Sequence, residues 1–328
     1  MTRTKSDTRA DPQRFLVTGG CGFVGAALCH HLEASGVEIV VLDNLSSGDP
    51  ARLPPTAELI TGDICDRRAI DKALQGVTGV FHLAAISSVE LCTTHRAEAS
   101  RTNLQGTVTL LEATGDLPVV FTSSAAVYGE QVDLPVREDA VPAPISSYAI
   151  DKLGSERHMK EAADLWGARC IAVRPFNIFG PGQSPNSPYS GVLTRFVEGA
   201  RNGAPLTVNG DGGQTRDFIH VGEVAEALFA AMKAAVNSKP GMYSVLNICS
   251  GEAISILDLA RLVNREAGSQ VPIAFGPTRL GDIRHSAGDP RRAEKEIGFR
   301  ATMPLQTGIA EMLAERPAPG PVRRSATF

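Results

Sequence analysis

The sequence lacks the residue spacings that build disulfide frameworks and metal centres. Its six cysteines are scattered and form no Cys-x-x-Cys pair; they are Cys21, Cys29, Cys65, Cys92, Cys170 and Cys249. The seven histidines show no metal-ligand spacing either. This pattern predicts a chain without a bound metal, in which the cysteines are reduced, small core residues of a cytoplasmic protein.

An excess of one charge and long apolar runs are also missing. The formal net charge is −4, which indicates neither a nucleic-acid partner nor an anionic membrane surface. No run approaches the ~18 apolar residues of a membrane span. The segment before Phe15 is polar and has no apolar signal core, which favours a cytoplasmic location.

Glycine, in contrast, is concentrated in one informative place. A short apolar run over 15–18 leads into a turn that contains Gly19, Gly22 and Gly25. A helix pattern and a second apolar run follow, and Asp43 stands at the end of that run. Strand, glycine turn, helix, strand and acid within about 30 residues are typical of a dinucleotide site. Backbone N–H groups at the helix start would then face the pyrophosphate.

Asp43 also indicates which dinucleotide binds. A carboxylate at this point accepts hydrogen bonds from the adenosine ribose and repels a 2′-phosphate. Asn44 and Leu45, which follow, supply no positive charge. The sequence therefore predicts NAD as the cofactor and not NADP.

Strand and helix patterns continue to alternate through the first half of the chain. Apolar runs at 59–60, 80–83, 119–122 and 170–173 predict buried strands, and 97–113 predicts a helix. The alternation predicts an α/β fold of the Rossmann type, a doubly wound parallel sheet covered on both faces. Ligands bind beyond the carboxyl ends of such strands. The candidates that stand at predicted strand ends are Asp43, Asp63, Ala84, Ser124 and Asn177.

Tyr148 and Lys152 are the main catalytic candidates. They are four residues apart, which places both on one face of a helix that begins near Ser147. A tyrosine titrates near pH ~10, and a nearby ammonium group lowers that pKa. The pair therefore predicts a general base for a hydroxyl proton, although Tyr-x-x-x-Lys alone also fits an ordinary surface helix.

The composition changes after Asn177. Residues 180–191 are rich in Gly, Pro, Ser and Asn and predict a long loop over a ligand. Helices are predicted at 192–201, 223–235, 256–267, 291–297 and 305–314. The predicted domains are a dinucleotide-binding domain (14–177 and 214–248), a smaller α/β nucleotide-sugar domain (178–213 and 249–315) and flexible tails (1–13 and 316–328).

In this order the motifs resemble the extended short-chain dehydrogenase/reductase family, and its nucleotide-sugar epimerases in particular. The likeness covers residues 14–315 and is greatest to UDP-glucose 4-epimerases and to relatives that act on UDP-N-acetylglucosamine. The segments that carry it are 19–25, 43–48, 82–85, 123–129, 148–152, 174–183, 210–217 and 279–286.

The resemblance implies a role for each matching position. Tyr148 would be the base, Lys152 would hold the nicotinamide ribose and Ser124 would bind the reacting hydroxyl. The implied NAD contacts are Gly19, Gly22, Phe23, Val24, Gly25, Asp43, Asn44, Asp63, Ile64, Leu83, Ala84, Ala85, Asn103, Tyr148, Lys152 and Phe176. The implied substrate contacts are Ser124, Tyr148, Asn177, Val192, Val208, Arg216, Arg279, Asp282 and Ser286. Without the resemblance, Arg216 and Arg279 fit surface salt bridges equally well.

The resemblance also implies a homodimer, formed through the helices near 97–113 and 148–165.

Two residues after Ser124 favour an epimerase among the family's reactions. Dehydratases and decarboxylases of the family carry acidic residues there, whereas this chain has Ala125 and Ala126, which cannot exchange protons. The alternatives are another enzyme on this scaffold, such as a UDP-glucuronate decarboxylase or epimerase or a 4,6-dehydratase, and a non-catalytic NAD-binding protein.

Two positions bear on the choice of substrate. Ser286 matches a position that can carry a tyrosine in the family, so the smaller serine predicts room for an N-acetyl group unless a neighbour fills the space. Asn209 stands where the family usually has an aromatic residue near the uracil. Either Asn209 hydrogen-bonds the base instead, or the nucleotide is not UDP.

Overall fold

The computed structural model describes residues 13–183, 191–278 and 283–315. The strands are β1 (Arg14–Thr18), β2 (Glu38–Asp43), β3 (Glu58–Thr61), β4 (Gly79–His82), β5 (Val119–Thr122), β6 (Cys170–Pro175), β7 (Asn177–Phe179), β8 (Leu206–Asn209), β9 (Thr215–His220), β10 (Tyr243–Ile248), β11 (Ala253–Ser255), β12 (Ile273–Gly276) and β13 (His285–Ser286). Seven of them form one sheet in the order β10-β6-β5-β4-β1-β2-β3. Every neighbouring pair in this sheet is parallel. The predicted Rossmann-type α/β fold is confirmed.

The helices of the described residues are divided between the two faces of this sheet and a smaller unit. They are α1 (Phe23–Ala34), α2 (Arg67–Ala73), α3 (Val89–Thr94), α4 (Arg96–Ser100), α5 (Gly106–Thr114), α6 (Ser147–Trp166), α7 (Val192–Asn202), α8 (Val221–Val236), α9 (Ile256–Glu266), α10 (Arg291–Ile297) and α11 (Leu305–Ala314). Because strand side chains alternate in direction, Phe15 and Val17 join one core cluster with α1 and α8, while Leu16 joins a second with α2, α5 and α6. Strands buried on both faces explain the unbroken apolar runs of the sequence.

The second half of the chain adds a smaller unit beyond the strand ends. Strands β7, β9, β11 and β13 form a four-stranded sheet, and β8 pairs with β12. Helices α7, α9 and α11 enclose a third core cluster with these strands. The domain division stays a prediction. Strand β9, which it assigned to the first domain, lies in the smaller sheet, whereas α8 and β10 belong to the large one.

Several sequence-based boundaries need correction. The helix predicted over 97–113 consists of α4, a π-helical turn at Arg101–Gln105 and α5. The N-cap of α6 is Ser146, whose hydroxyl accepts from the backbone N of Ala149 at 3.3 Å, and not Ser147. The sequence analysis also missed α2, α3, β10 and β12, which are short or lack a clear period. The tails before 13 and after 315 lie outside the described residues.

Two further findings concern the described residues only. No helix among them is long and apolar enough to cross a membrane. No group of three or more histidine, cysteine, aspartate or glutamate side chains in these ranges is arranged to hold a metal ion.

Candidate active site

The turn between β1 and α1 requires glycine. Gly19 has a φ of +70°, and a Cβ at this position would lie 2.7 Å from the backbone nitrogen of Ala84. A Cβ on Gly25 would overlap the carbonyl oxygen of Gly19. Gly22 is the N-cap of α1, and no described side chain caps that helix. The first-turn N–H groups of α1 are therefore left for an anion such as a pyrophosphate.

Asp43 is held firmly at the carboxyl end of β2. One of its carboxylate oxygens accepts from the backbone nitrogen of Cys21 at 3.0 Å, and the other accepts from Leu45 at 2.8 Å. Leu45 takes up a left-handed conformation with a φ of 58° to make this contact. The acid is thus tied to the glycine turn, where an adenosine ribose follows a bound pyrophosphate.

The loop after β4 is shaped by two buried polar side chains. The Thr18 hydroxyl accepts from the backbone nitrogens of Leu83 and Ala84, each at 3.2 Å. Asn103, in the π-helical turn, accepts from the backbone nitrogen of Ile86 at 2.7 Å and donates to its carbonyl at 3.1 Å. Asn103 therefore holds the loop after β4 in place, and its predicted contact with the cofactor stays a prediction.

The other predicted cofactor positions lie around the same sheet edge. Asp63 is partly buried, and its carboxylate accepts from the backbone nitrogen of Cys65 at 2.7 Å. Ile64 packs in the second core cluster, whereas Asn44 is exposed. Phe23 and Val24 in the first turn of α1 and Ala85 in the loop after β4 are also partly buried.

Helix α6 brings the catalytic candidates to the end of β5. The Lys152 ammonium is buried and donates to the carbonyl oxygen of Thr122 at 2.7 Å. It also lies 4.6 Å from the ring centre of Phe121 and 5.8 Å from that of Tyr148. Ser124 is the N-cap of a short 3₁₀ turn, and its hydroxyl accepts from the backbone nitrogen of Ala126 at 3.1 Å.

The expected lowering of the tyrosine pKa by Lys152 is not seen in this structure. Burial raises the pKa of Tyr148 to about 12, and a hydrogen bond with Ser124 opposes this rise. Burial lowers the pKa of Lys152 to about 8. Burial is thus the largest cause of both shifts, and neither group is among the causes that shift the pKa of the other.

A cavity of about 250 Å³ opens beside Ser124. Its lining includes four more of the predicted site residues: Phe176, Asn177, Arg216 and Ser286. The Asn177 amide donates to the carbonyl oxygen of Asp217 at 2.8 Å, and Arg216 and Ser286 are register partners in β9 and β13. The sequence analysis missed other lining residues, among them Val89, Gln131, Val136, Ile145 and His285. These lie in loops or at element ends, where no period marks them.

A second, polar cavity of about 210 Å³ adjoins the first, since Ile283 lines both. The other lining residues are Asn209, Gly210, Asp211, Gln214, Thr278 and Arg284. Arg284 donates to both carboxylate oxygens of Asp211, at 2.7 and 2.8 Å, and this pair holds the pKa of Asp211 well below its usual range. The two cavities therefore lie side by side, and Arg216 lines the first of them.

Four predicted substrate contacts are not among the residues that line the two cavities. Two of them are buried or packed in the core, and two lie outside the described residues. Val208 is completely buried in the third core cluster and lines neither cavity, so its role as a substrate contact stays a prediction. Val192 packs against the same cluster at the start of α7. Arg279 and Asp282 lie outside the described residues.

Comparison with known proteins agrees with this geometry. The profile of the NAD dependent epimerase/dehydratase family matches residues 15–249. The chain belongs to that family. The likeness is not confined to the profile, because dTDP-L-rhamnose 4-epimerase of Burkholderia thailandensis is 32% identical over 92% of this chain and 94% of its own length. A UDP-N-acetyl-alpha-D-glucosaminuronate decarboxylase of Bacillus cytotoxicus is 34% identical over 92% and 97%.

Solved structures of family members are similar to this chain over most of its length. The UDP-N-acetylglucosamine 4-epimerase of Methanobrevibacter ruminantium, in complex with UDP-N-acetylmuramic acid, has a TM-score of 0.86 and 30% identity over 92% of this chain and 97% of its own. The UDP-glucose 4-epimerase of Thermus thermophilus, in complex with NAD, has a TM-score of 0.82 and 32% identity over 92% and 98%.

These findings identify the chain as an NAD-dependent enzyme of the epimerase type. The cofactor is NAD. The residues present fit this cofactor, since the glycine turn leaves room that any larger side chain would fill and Asp43 stands at the end of the adjacent strand. NAD supplies a hydride acceptor and donor, and its positive nicotinamide ring favours the phenolate form of a nearby tyrosine.

Proposed function

We propose that the protein catalyses reversible 4-epimerisation of a UDP-hexose through transient oxidation at C4, with Tyr148 as base and tightly bound NAD. The substrates are UDP-glucose and UDP-galactose, UDP-N-acetylglucosamine and UDP-N-acetylgalactosamine, or both pairs. One observation carries this proposal. Ala125 and Ala126 line the sugar-sized cavity beside Ser124, and none of the described residues that line it is an aspartate or a glutamate.

Each residue of the site has a distinct task in this reaction. Tyr148 would accept the proton of the C4 hydroxyl while the C4 hydride passes to NAD. It would return that proton to the oxygen when the same hydride is delivered to the opposite face of the turned keto sugar. Ser124 hydrogen-bonds the same oxygen and holds it against Tyr148. Lys152, anchored on Thr122, fixes the helix register and adds positive charge. Arg216 binds the diphosphate during the turnover of the sugar.

The alanines at 125 and 126, together with a described cavity lining that has no carboxylate, separate this reaction from others of the family. Dehydration must also remove a proton next to the keto group and expel water, which needs a further acid or base. Epimerisation needs only a cavity in which the keto sugar can present its opposite face. The two alanine methyl groups provide space without proton chemistry.

The cavity also bears on the sugar and the nucleotide. Ser286 lines it with a small side chain, which supports the acceptance of an N-acetyl group. In the adjoining cavity, Gln214 donates to the Asn209 carbonyl at 2.9 Å. Amide groups there favour recognition of a base edge over ring stacking, and uracil and thymine present similar edges. We therefore propose UDP first and a dTDP-sugar as the second candidate.

A second candidate function follows from the relatives. One similar protein is named a UDP-N-acetylglucosaminuronate decarboxylase, and a uronate of that kind also begins its reaction by oxidation at C4. The absence of any acidic residue among the described lining of the first cavity disfavours it here.

Substrate deuterated at C4 separates these reactions. Purified protein would be incubated with 4-deuterated UDP-glucose and UDP-N-acetylglucosamine, and with UDP-glucuronate. The proposal expects inversion at C4 with the deuterium retained at C4. Transfer of deuterium to C6 would indicate dehydration, and release of carbon dioxide from the uronate would indicate decarboxylation; either result would contradict the proposal.

We also propose a homodimer. Helix α6 exposes three large apolar side chains, Ile150, Leu165 and Trp166, which are 55%, 68% and 60% exposed in the single chain. Such side chains on one helix suit an interface between copies. Light scattering should give twice the chain mass, and a single-chain mass at micromolar concentration would contradict the dimer.

A further inference from the structure

One face of α6 carries more than the catalytic pair. Tyr148, Lys152 and Glu156 follow one another at intervals of four residues, so their side chains lie in one row. The row meets the end of β5: Lys152 donates to the Thr122 carbonyl at 2.7 Å, and Glu156 accepts from the Ser123 hydroxyl at 2.5 Å. The helix is thereby joined to this strand at two successive residues.

Glu156 is also joined to the next strand. Arg174, near the end of β6, donates to both oxygens of Glu156, at 2.9 Å from Nε and 2.6 Å from Nη2. The two side chains are only 4% and 2% exposed. A bidentate pair fixes direction as well as distance, and water does not screen it at this depth. The carboxylate therefore locks α6 against the ends of both β5 and β6.

The pair of Glu156 and Arg174 is also connected to the wall of the first cavity. The Arg174 guanidinium lies 4.7 Å from the ring centre of Tyr128. The Tyr128 hydroxyl donates to the side-chain oxygen of Asn247 at 2.6 Å, and the Asn247 amide donates to the Val136 carbonyl at 2.9 Å. Tyr128 and Val136 both line the cavity beside Ser124. One continuous set of contacts thus connects the catalytic helix with the sugar pocket.

We propose that Glu156 and Arg174 are positioning residues that hold Tyr148 and Ser124 in the relative positions in which both can bind the reacting hydroxyl. The inference rests on the proposed function, because it assigns the pair a part in placing that reaction's base. Ser123, which Glu156 holds, directly precedes Ser124 in the chain. A displacement of about 1 Å between reacting groups can slow a reaction about 100-fold.

A buried ion pair can also be a mere part of the core, and the test must distinguish the two roles. Removing one partner would leave the other charge buried and would destabilise the protein, whereas apolar replacement of both partners is often tolerated. The informative change is therefore the double variant Glu156→Met with Arg174→Met. The matched control is Lys160→Gln with Asp164→Asn, which removes an exposed ion pair from the same helix.

Two readouts follow the position of Tyr148. In steady-state kinetics with the UDP-sugar that the wild type epimerises, kcat of the double variant should fall about 10- to 100-fold, with KM and NAD affinity changed less than about threefold. In NMR spectra with ¹³C-labelled tyrosine, the ring-carbon signal of Tyr148 should shift. The protein has four tyrosines, and Tyr148→Phe assigns the signal. The control variant should match the wild type in both readouts.

The NMR readout needs no substrate, so it separates this inference from the proposed function. If the wild type converts neither sugar, the proposed function fails while the Tyr148 signal still tests the positioning role. If the double variant does not fold, Ser123→Ala takes its place. This variant removes only the hydroxyl that donates a hydrogen bond to Glu156, and it should shift the same Tyr148 signal. A folded double variant that keeps the wild-type Tyr148 signal would overturn the inference. Where the double variant does not fold, a Ser123→Ala variant that keeps this signal would overturn it.

Discussion

Asp43 is expected to decide between NAD and NADP, and the substitution Asp43→Asn tests this. The asparagine keeps the size of the side chain and one acceptor oxygen but removes the negative charge. A hydrogen bond to a charged group contributes about 1.5–3 kcal/mol, which corresponds to a loss of about 10- to 150-fold in NAD affinity. NADP should lose less, because the repulsion of its 2′-phosphate disappears together with the charge.

A disturbed glycine turn would also reduce the NAD affinity of Asp43→Asn. Asp43 accepts from the backbone nitrogens of Cys21 and Leu45, so a change in the glycine turn would weaken both cofactors alike. The measured quantity is therefore the ratio of the two dissociation constants, from calorimetric titration of cofactor-free protein with NAD and with NADP. The ratio should shift at least tenfold toward NADP. Asp63→Asn is the control, because the family resemblance implies that Asp63 contacts the adenine, and the adenine is common to both cofactors. Equal loss of NAD and NADP affinity in Asp43→Asn would refute the ribose assignment.

Three further changes test other parts of the site. Tyr148→Phe should reduce turnover at least about 1,000-fold and leave NAD bound, and retained activity would remove Tyr148 as the base. Arg284→Gln and Asp211→Asn should each raise KM for the nucleotide sugar several-fold, and the double variant should lose no more than either single one. The reason is that one ion pair holds the segment 283–286, whose residues line the two cavities. Additive losses would indicate a direct substrate contact of Arg284. The pKa of Lys152 is about 8 when folded and ~10.5 when unfolded, so between these values the unfolded chain binds more protons and stability rises with pH. In urea titrations of cofactor-free protein, the stability of the wild type relative to Lys152→Met should therefore grow by about 2 kcal/mol from pH 7.5 to 9.5, and a constant difference would contradict the lowered pKa.

Local patterns were sufficient to predict the large sheet and the cofactor turn. The glycines and Asp43 occur within a single strand-turn-helix-strand unit, so their relation is fixed by neighbours in sequence. The row of Tyr148 and Lys152 follows from helical spacing alone. These features can therefore be predicted from residues that are close together in the sequence.

Other features depend on residues that are distant in sequence. Glu156 has the spacing of the catalytic row, but its partners Ser123 and Arg174 come from two strands. Val208 matches a substrate-binding position by motif, yet the packing of the third core cluster buries its side chain. The pKa of Tyr148 also escaped prediction, because spacing gives proximity to a lysine and says nothing of burial.

The most direct test of the central claim is the configuration at C4 of a UDP-sugar. Purified protein would be incubated without added NAD, separately with UDP-N-acetylglucosamine and with UDP-glucose, and followed by proton NMR. Epimerisation with retained cofactor predicts conversion to the galacto isomer without net change in NAD, and conversion of the acetylated sugar would support the room left by Ser286. Conversion of UDP-glucose alone would keep the reaction and refute that part of the cavity argument. Conversion of neither sugar by protein that demonstrably holds NAD would contradict the proposed function.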